Sequence, residues 1–227
     1  MGKRILIVAT SHDKYPDNGD PTGLWLEELA APYLLWTKAG LDVDIASVKG
    51  GKIPIDPVSL TPANLTGHAK TFYDDASLMK LMETTPSVKD VKGEYDGIYL
   101  PGGHGVCWDL ATDKDSIALV EKFWAEDKVV AAVCHGPCGL VNVKAPNGEP
   151  IVKGKKVNGF SNSEEETAGK TARVPFLLES ELVKLGGLYE KGPDWSVYAI
   201  ADGNLITGQN PMSSEKLAEL TLKTLGV

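Results

Sequence analysis

The stretch Val129-Val130-Ala131-Ala132-Val133-Cys134-His135-Gly136-Pro137-Cys138-Gly139 decides how this 227-residue chain reads. Small and β-branched apolar residues run directly into a cysteine, and a Gly-Pro break comes at once. That order predicts a fully buried strand, a sharp turn and the start of a helix. Ala132 and Gly136 stand two residues either side of Cys134. Small residues at those two places are what a nucleophile elbow needs, because the turn strains the backbone and leaves no room for side chains. Such a turn aims the thiol at a helix N-terminus, where partial positive charge favours the thiolate. Cys134 is therefore the candidate nucleophile, with a buried apolar filler as the plainer alternative. His135 is a candidate base, but adjacent side chains usually diverge, so its reach to Cys134 stays open. Cys138 is expected to pack inside the next helix, with a resolving role as the alternative. Cys107 has no supporting context.

Outward from this turn, the same nearly continuous apolar character marks strands at Arg4–Ala9, Asp42–Ser47, Tyr95–Leu100 and Val129–Val133. Helical periodicity marks Leu24–Ala39, Ser116–Glu126 and Pro211–Leu225; Ser213 or Ser214 is expected to cap the last, and Gly226 to stop it. Between Ile151 and Gly208, shorter strands at Val157–Phe160, Leu188–Glu190 and Val197–Ile200 flank a helix at Pro175–Leu185. This alternation predicts an α/β fold, a flavodoxin-like three-layer sandwich around a mostly parallel central sheet. No repeat, low-complexity segment or linker divides the chain, which reads as one domain over 1–227. Ligands in such sheets bind beyond the carboxyl ends of the strands, so the turns after Ala9, Leu100 and Val133 are the places to inspect.

The balance of Lys+Arg 23 against Asp+Glu 31 leaves a net charge of −8, which argues against a nucleic-acid partner. No apolar run reaches the roughly 18 residues that a membrane span needs. The apolar stretch near Met1 is too short for a signal peptide and runs into Ser11-His12-Asp13-Lys14. Three cysteines, an odd number, fit a reducing compartment, and the expected location is the cytoplasm.

Three other segments carry chemistry. Glu28 lies in the inward lane of the first helix, beside Leu24, Trp25, Ala31 and Pro32. Burial there raises a carboxyl's pKa, making Glu28 a candidate acid and base, with a salt-bridged structural role as the alternative. Glu27 is expected nearer the surface. Pro101-Gly102-Gly103-His104-Gly105 comes after a strand and brings backbone N–H groups close to a ligand, as an oxyanion site requires; a tight structural turn explains it equally well. It matches no nucleotide-binding pattern. In Ser161-Asn162-Ser163-Glu164-Glu165-Glu166, Ser163 with Glu166 would form a capping box, leaving Glu165 free to orient a histidine. His12, His68, His104 and His135 show no ligand spacing with the cysteines, and no metal is expected.

Together these residues resemble the ThiJ/PfpI superfamily, which has the class I glutamine amidotransferase-like fold. The resemblance spans nearly the whole chain and is carried by Ala131–Pro137, Pro101–Gly105 and Asp202–Pro211. Thr22-Gly23 with Glu28 four residues before Pro32 is similar to the branch containing heat-shock chaperone-like glyoxalase III enzymes. Phe160–Glu165 and Val174–Glu179 fit the same branch. The resemblance implies Cys134 as nucleophile, Glu28 as its proton partner, and His135 with Glu165 completing a Cys-His-acid set. It implies an oxyanion site from the backbone N–H groups of Gly103 and His135, with Gly102, His104 and Trp25 around the substrate. The implied activity is conversion of methylglyoxal and water to lactate without glutathione or any cofactor, in a homodimer acting on a small dicarbonyl. A cysteine peptidase or amidase, a deglycase, and a redox-sensing stress chaperone that binds unfolded proteins are the alternatives. Trp25, Trp108 and Trp195 suggest a small enclosed pocket rather than a peptide groove.

Overall fold

Strand β1 (Arg4–Ala9) is the hub of the sheet in the computed structural model, which describes residues 2–227. It pairs in parallel with β2 (Asp42–Ser47) on one side and with β3 (Gly97–Leu100) on the other. β3 continues in parallel to β4 (Val129–Val133), the strand that leads into Cys134. A pair, β5 (Lys156–Val157) and β6 (Leu188–Tyr189), stands apart. The edge strand β7 (Ala199–Asp202) runs antiparallel to β8 (Leu205–Gly208), which lies against β4. Among the described residues the large sheet therefore has the order β2-β1-β3-β4-β8-β7, parallel except at one edge.

Helices cover both faces, as the near-continuous apolar strands require. Side chains alternate along each strand. Leu6, Val8, Ile98, Leu100, Val130 and Ala132 share one core. Ile5, Ile7, Tyr99, Ala131 and Val133 share the other. Val120 and Phe123 of α4 (Lys114–Ala125) and Leu178 and Leu182 of α6 (Leu178–Lys184) close the first. The second is closed by α1 (Leu26–Lys38), α2 (Gly67–Asp74) and α7 (Ser214–Leu225). Trp36 of α1 is fully buried and donates its indole N–H to the Ala218 carbonyl of α7 at 3.1 Å, which joins the two helices. The short α3 (Ala76–Lys80) and α5 (Asn162–Thr167) complete the set. No helix among the described residues is long and apolar enough to cross a membrane.

The differences from the sequence-based expectations are local. β3 begins at Gly97, because Asp96 turns the chain, its carboxylate accepting the Arg4 N–H at 2.9 Å. α1 begins at Leu26, because the Leu24 carbonyl accepts the Asp56 N–H at 2.9 Å in place of a helical donor. Ser213 takes the N-cap position of α7 but makes no side-chain capping bond: its hydroxyl accepts the Tyr198 N–H and donates to Asn210, while a 3-10 turn leads into the helix. Gly226 does end it, in the left-handed conformation at φ 77°. Strand β8 is invisible to sequence pattern; Leu-Ile-Thr-Gly is too short to show periodicity, and its position between β4 and β7 is a matter of pairing.

Candidate active site

Cys134 follows directly on β4 with φ 59°, a left-handed conformation that a cysteine holds only when its surroundings force it. Its N–H donates to the Gly208 carbonyl at 2.9 Å and its own carbonyl accepts the Phe160 N–H at 2.8 Å. Flanking glycines make room: a Cβ on Gly136 would sit 2.0 Å from the Leu100 carbonyl oxygen. The expected elbow is present. Beyond it the chain enters a 3-10 turn over Gly136–Leu140 rather than an α-helix, so no long helix dipole points at the sulfur.

Cys134 is only 3% exposed yet lines a cavity of about 660 Å³. His135 does reach it, with Nδ1 3.4 Å from Sγ. The other ring nitrogen of His135 lies 2.7 Å from Glu165 Oε2, and His104 Nε2 lies 2.8 Å from Glu165 Oε1. The two imidazole rings lie 4.2 Å apart, tilted by 41°. One carboxylate thus serves two histidines. Burial lowers both imidazoles and, at His104, the charge on His135 adds to it, so His104 is driven below its ordinary value. At His135 the facing Glu165 carboxylate outweighs burial and lifts the pKa to about 9. Burial works to raise Glu165, but the two imidazoles hold it well below the usual carboxylate range.

Glu28 occupies α1 one turn before Pro32. Pro32 has no N–H to give the Glu28 carbonyl, and the buried Tyr99 hydroxyl of β3 donates there instead at 2.6 Å. The Glu28 carboxyl is fully buried; Oε2 accepts the Gly102 N–H at 2.6 Å, and Oε1 has no hydrogen-bond partner. Burial pushes this carboxyl up to about 8. Burial and the neighbouring Glu28 carboxyl also push the Cys134 thiol well up. This corrects the expectation of a resting thiolate: sulfur and carboxyl here both keep their protons near neutrality.

A model of the DJ-1/PfpI family matches residues 23–224. The chain belongs to the DJ-1/PfpI family. It is 32% identical to the glutathione-independent glyoxalase HSP31 of Saccharomyces cerevisiae, across 98% of each chain. The solved structure of glyoxalase III from Candida albicans superimposes with a TM-score of 0.89 at 29% identity, covering 98% of this chain and 97% of that one. The Francisella tularensis Rapid Encystment Protein of 24 kDa superimposes at 0.93 and 40% identity, covering 98% and 99%.

Within this DJ-1/PfpI site the expected residues take different positions. Cys134, His135, Gly103, His104 and Trp25 line the cavity. Gly102 does not offer its N–H to a ligand, because Glu28 takes it; a Cβ at Gly102 would also sit 2.6 Å from the His135 nitrogen. The His135 N–H lies against the Cys134 sulfur. The Gly103 N–H has no acceptor among the described residues, and φ 90° makes glycine necessary there. The histidines do acquire ligand spacing in three dimensions: His104, His135 and Glu165 form a cluster suited to a metal by its donors, although both Nε2 atoms are hydrogen-bonded to Glu165.

The capping box forms one register earlier than expected, between Ser161 and Glu164. Ser161 is the residue with extended backbone and so sits at the N-cap. Glu164 is a functional residue that sequence reasoning misses. It is fully buried and accepts from Ser161, the Trp195 N–H, Gln209 and Asn210. This anchors α5 and hence holds Glu165 under the two histidines. The signal lay in Gly208-Gln209-Asn210-Pro211, two adjacent side-chain amides that need acceptors once buried. Cys138 is buried as expected, with its sulfur 3.6 Å from that of Cys107.

Proposed function

We propose that this protein is a glutathione-independent glyoxalase, converting methylglyoxal and water to lactate. The observation that carries the reading is a strained, cavity-facing cysteine between a carboxyl with pKa about 8 and an imidazole held near 9. His135 is already protonated near neutrality and so is a poor base; the minor fraction of Glu28 that is ionised there, growing as pH approaches about 8, is the proton shuttle. Glu28 takes the thiol proton as Cys134 sulfur bonds to the aldehyde carbon, then returns it to the aldehyde oxygen, giving a hemithioacetal. The oxygen's developing charge faces the Gly103 N–H and the His135 imidazolium. The Glu28 carboxylate then moves the remaining C–H proton to the adjacent carbonyl carbon through an enediol, while the hydroxyl proton passes from the former aldehyde oxygen to the ketone oxygen. The product is a thioester, which water splits into lactate and the free thiol. No cofactor enters this sequence.

Purified protein given methylglyoxal without glutathione is expected to release lactate, and Cys134→Ala to release none. Lactate from that variant at the parental rate would end the proposal. Under the same reading the chain is one domain over 1–227, acts in the cytoplasm and pairs as a homodimer, which sedimentation velocity checks.

A further inference from the structure

The cavity of about 660 Å³ is of the size that encloses a drug-sized ligand, and a three-carbon dicarbonyl fills a small part of it. Much of its wall is flat and apolar, with Tyr15, Trp25, Phe160 and Trp195 all facing in, the last two packed edge to face at 5.5 Å. One ammonium interrupts that wall. Lys170 holds its Nζ 4.7 Å from the Tyr15 ring centre and makes no hydrogen bond or ion pair among the described residues. The second cation on the same ring, Arg173 at 3.9 Å, is neutralised by Asp17 and Asp20. The wall carboxylates are also committed: Asp20 to Arg173, and Asp56 to the Val58 N–H and the Thr22 hydroxyl. Lys170 therefore stands half-buried in this wall, over the Tyr15 ring, with no anion among the described residues to answer it.

We propose that the site takes 2-oxoaldehydes larger than methylglyoxal, whose substituent is a flat apolar body ending in an anionic group, and that Lys170 receives that anion. The inference rests on the glyoxalase reading for the reacting end and on the cavity wall for the other end. It makes Lys170 a specificity residue with no part in the bond changes.

The test compares kcat/KM for phenylglyoxal and para-carboxyphenylglyoxal in the parent, Lys170→Met and Lys170→Glu, so that a loss of folded protein cancels in the ratio. The parent is expected to favour the carboxylated substrate on the order of tenfold, K170M to erase that preference and K170E to invert it. A ratio near one in the parent, or one unmoved by K170M, overturns the proposal. Calorimetric binding of para-acetylbenzoate against acetophenone, neither of which can complete the reaction, separates the two readings. A Lys170-dependent preference for para-acetylbenzoate without turnover of any dicarbonyl supports the anion site and sinks the glyoxalase reading. Turnover of all dicarbonyls without that preference does the reverse.

Discussion

Glu28 on α1 and Glu165 on α5 are both enclosed carboxyls of one site, yet the protein drives their pKa values in opposite directions. Glu28 has no cation in contact, and burial outweighs the Cys134 thiol, the Gly102 N–H and the more distant His135 charge, so its pKa rises to about 8. Glu165 meets two imidazoles, so ion pairing overrides burial and keeps it ionised. Glu164, its immediate neighbour, is buried as deeply and satisfied entirely by hydrogen-bond donors. Burial alone does not assign a carboxyl its job; the donors that reach it do. One wall supplies a mobile proton and the other a fixed charge.

The largest effect expected is the loss of about 10³-fold or more in lactate formation for Cys134→Ser, read by steady-state kinetics. Removing the mobile proton comes next. Glu28→Gln is expected to lower kcat/KM by about 10²-fold or more. In the parent, kcat/KM should climb with pH as Glu28 ionises through about 8 and fall as His135 loses its proton through about 9. E28Q should lack the rising limb; an unchanged profile breaks the contrast between the walls.

The same contrast has a stability reading. The folded pKa of Glu28 lies above its unfolded one, so its contribution is full in acid and is lost as pH rises through about 8. The difference in unfolding free energy between E28Q and the parent should move in the variant's favour by roughly 2–4 kcal/mol between about pH 5 and pH 9, measured by denaturant melts. On the fixed-charge wall, Glu165→Gln should bring the His135 pKa down from about 9, visible by NMR titration, with a fall of roughly tenfold or more in activity. The smallest effect is Tyr99→Phe, which strands the Glu28 carbonyl; a loss of about 1–3 kcal/mol in stability should accompany a modest fall in kcat.

Short-range pattern was enough for the strands Arg4–Ala9, Asp42–Ser47 and Val129–Val133 and for the strained turn at Cys134, because apolar runs and small flanking residues act within a few positions. The inward placement of Glu28 came from helical spacing for the same reason. Whether His135 touches Cys134, that Gly102 serves Glu28 rather than a ligand, and that Tyr99 replaces the N–H missing at Pro32 depended on elements distant in sequence. Glu165 stood out in the acidic run as free to orient a histidine, but that it serves two histidines, and that Glu164 beside it is the buried anchor met by Gln209 and Asn210, depended on the fold. The protonation of the sulfur was likewise left to the fold. A local sequence carries backbone preference and facing, whereas a pKa is set by every charge and dipole that packing brings within a few ångströms.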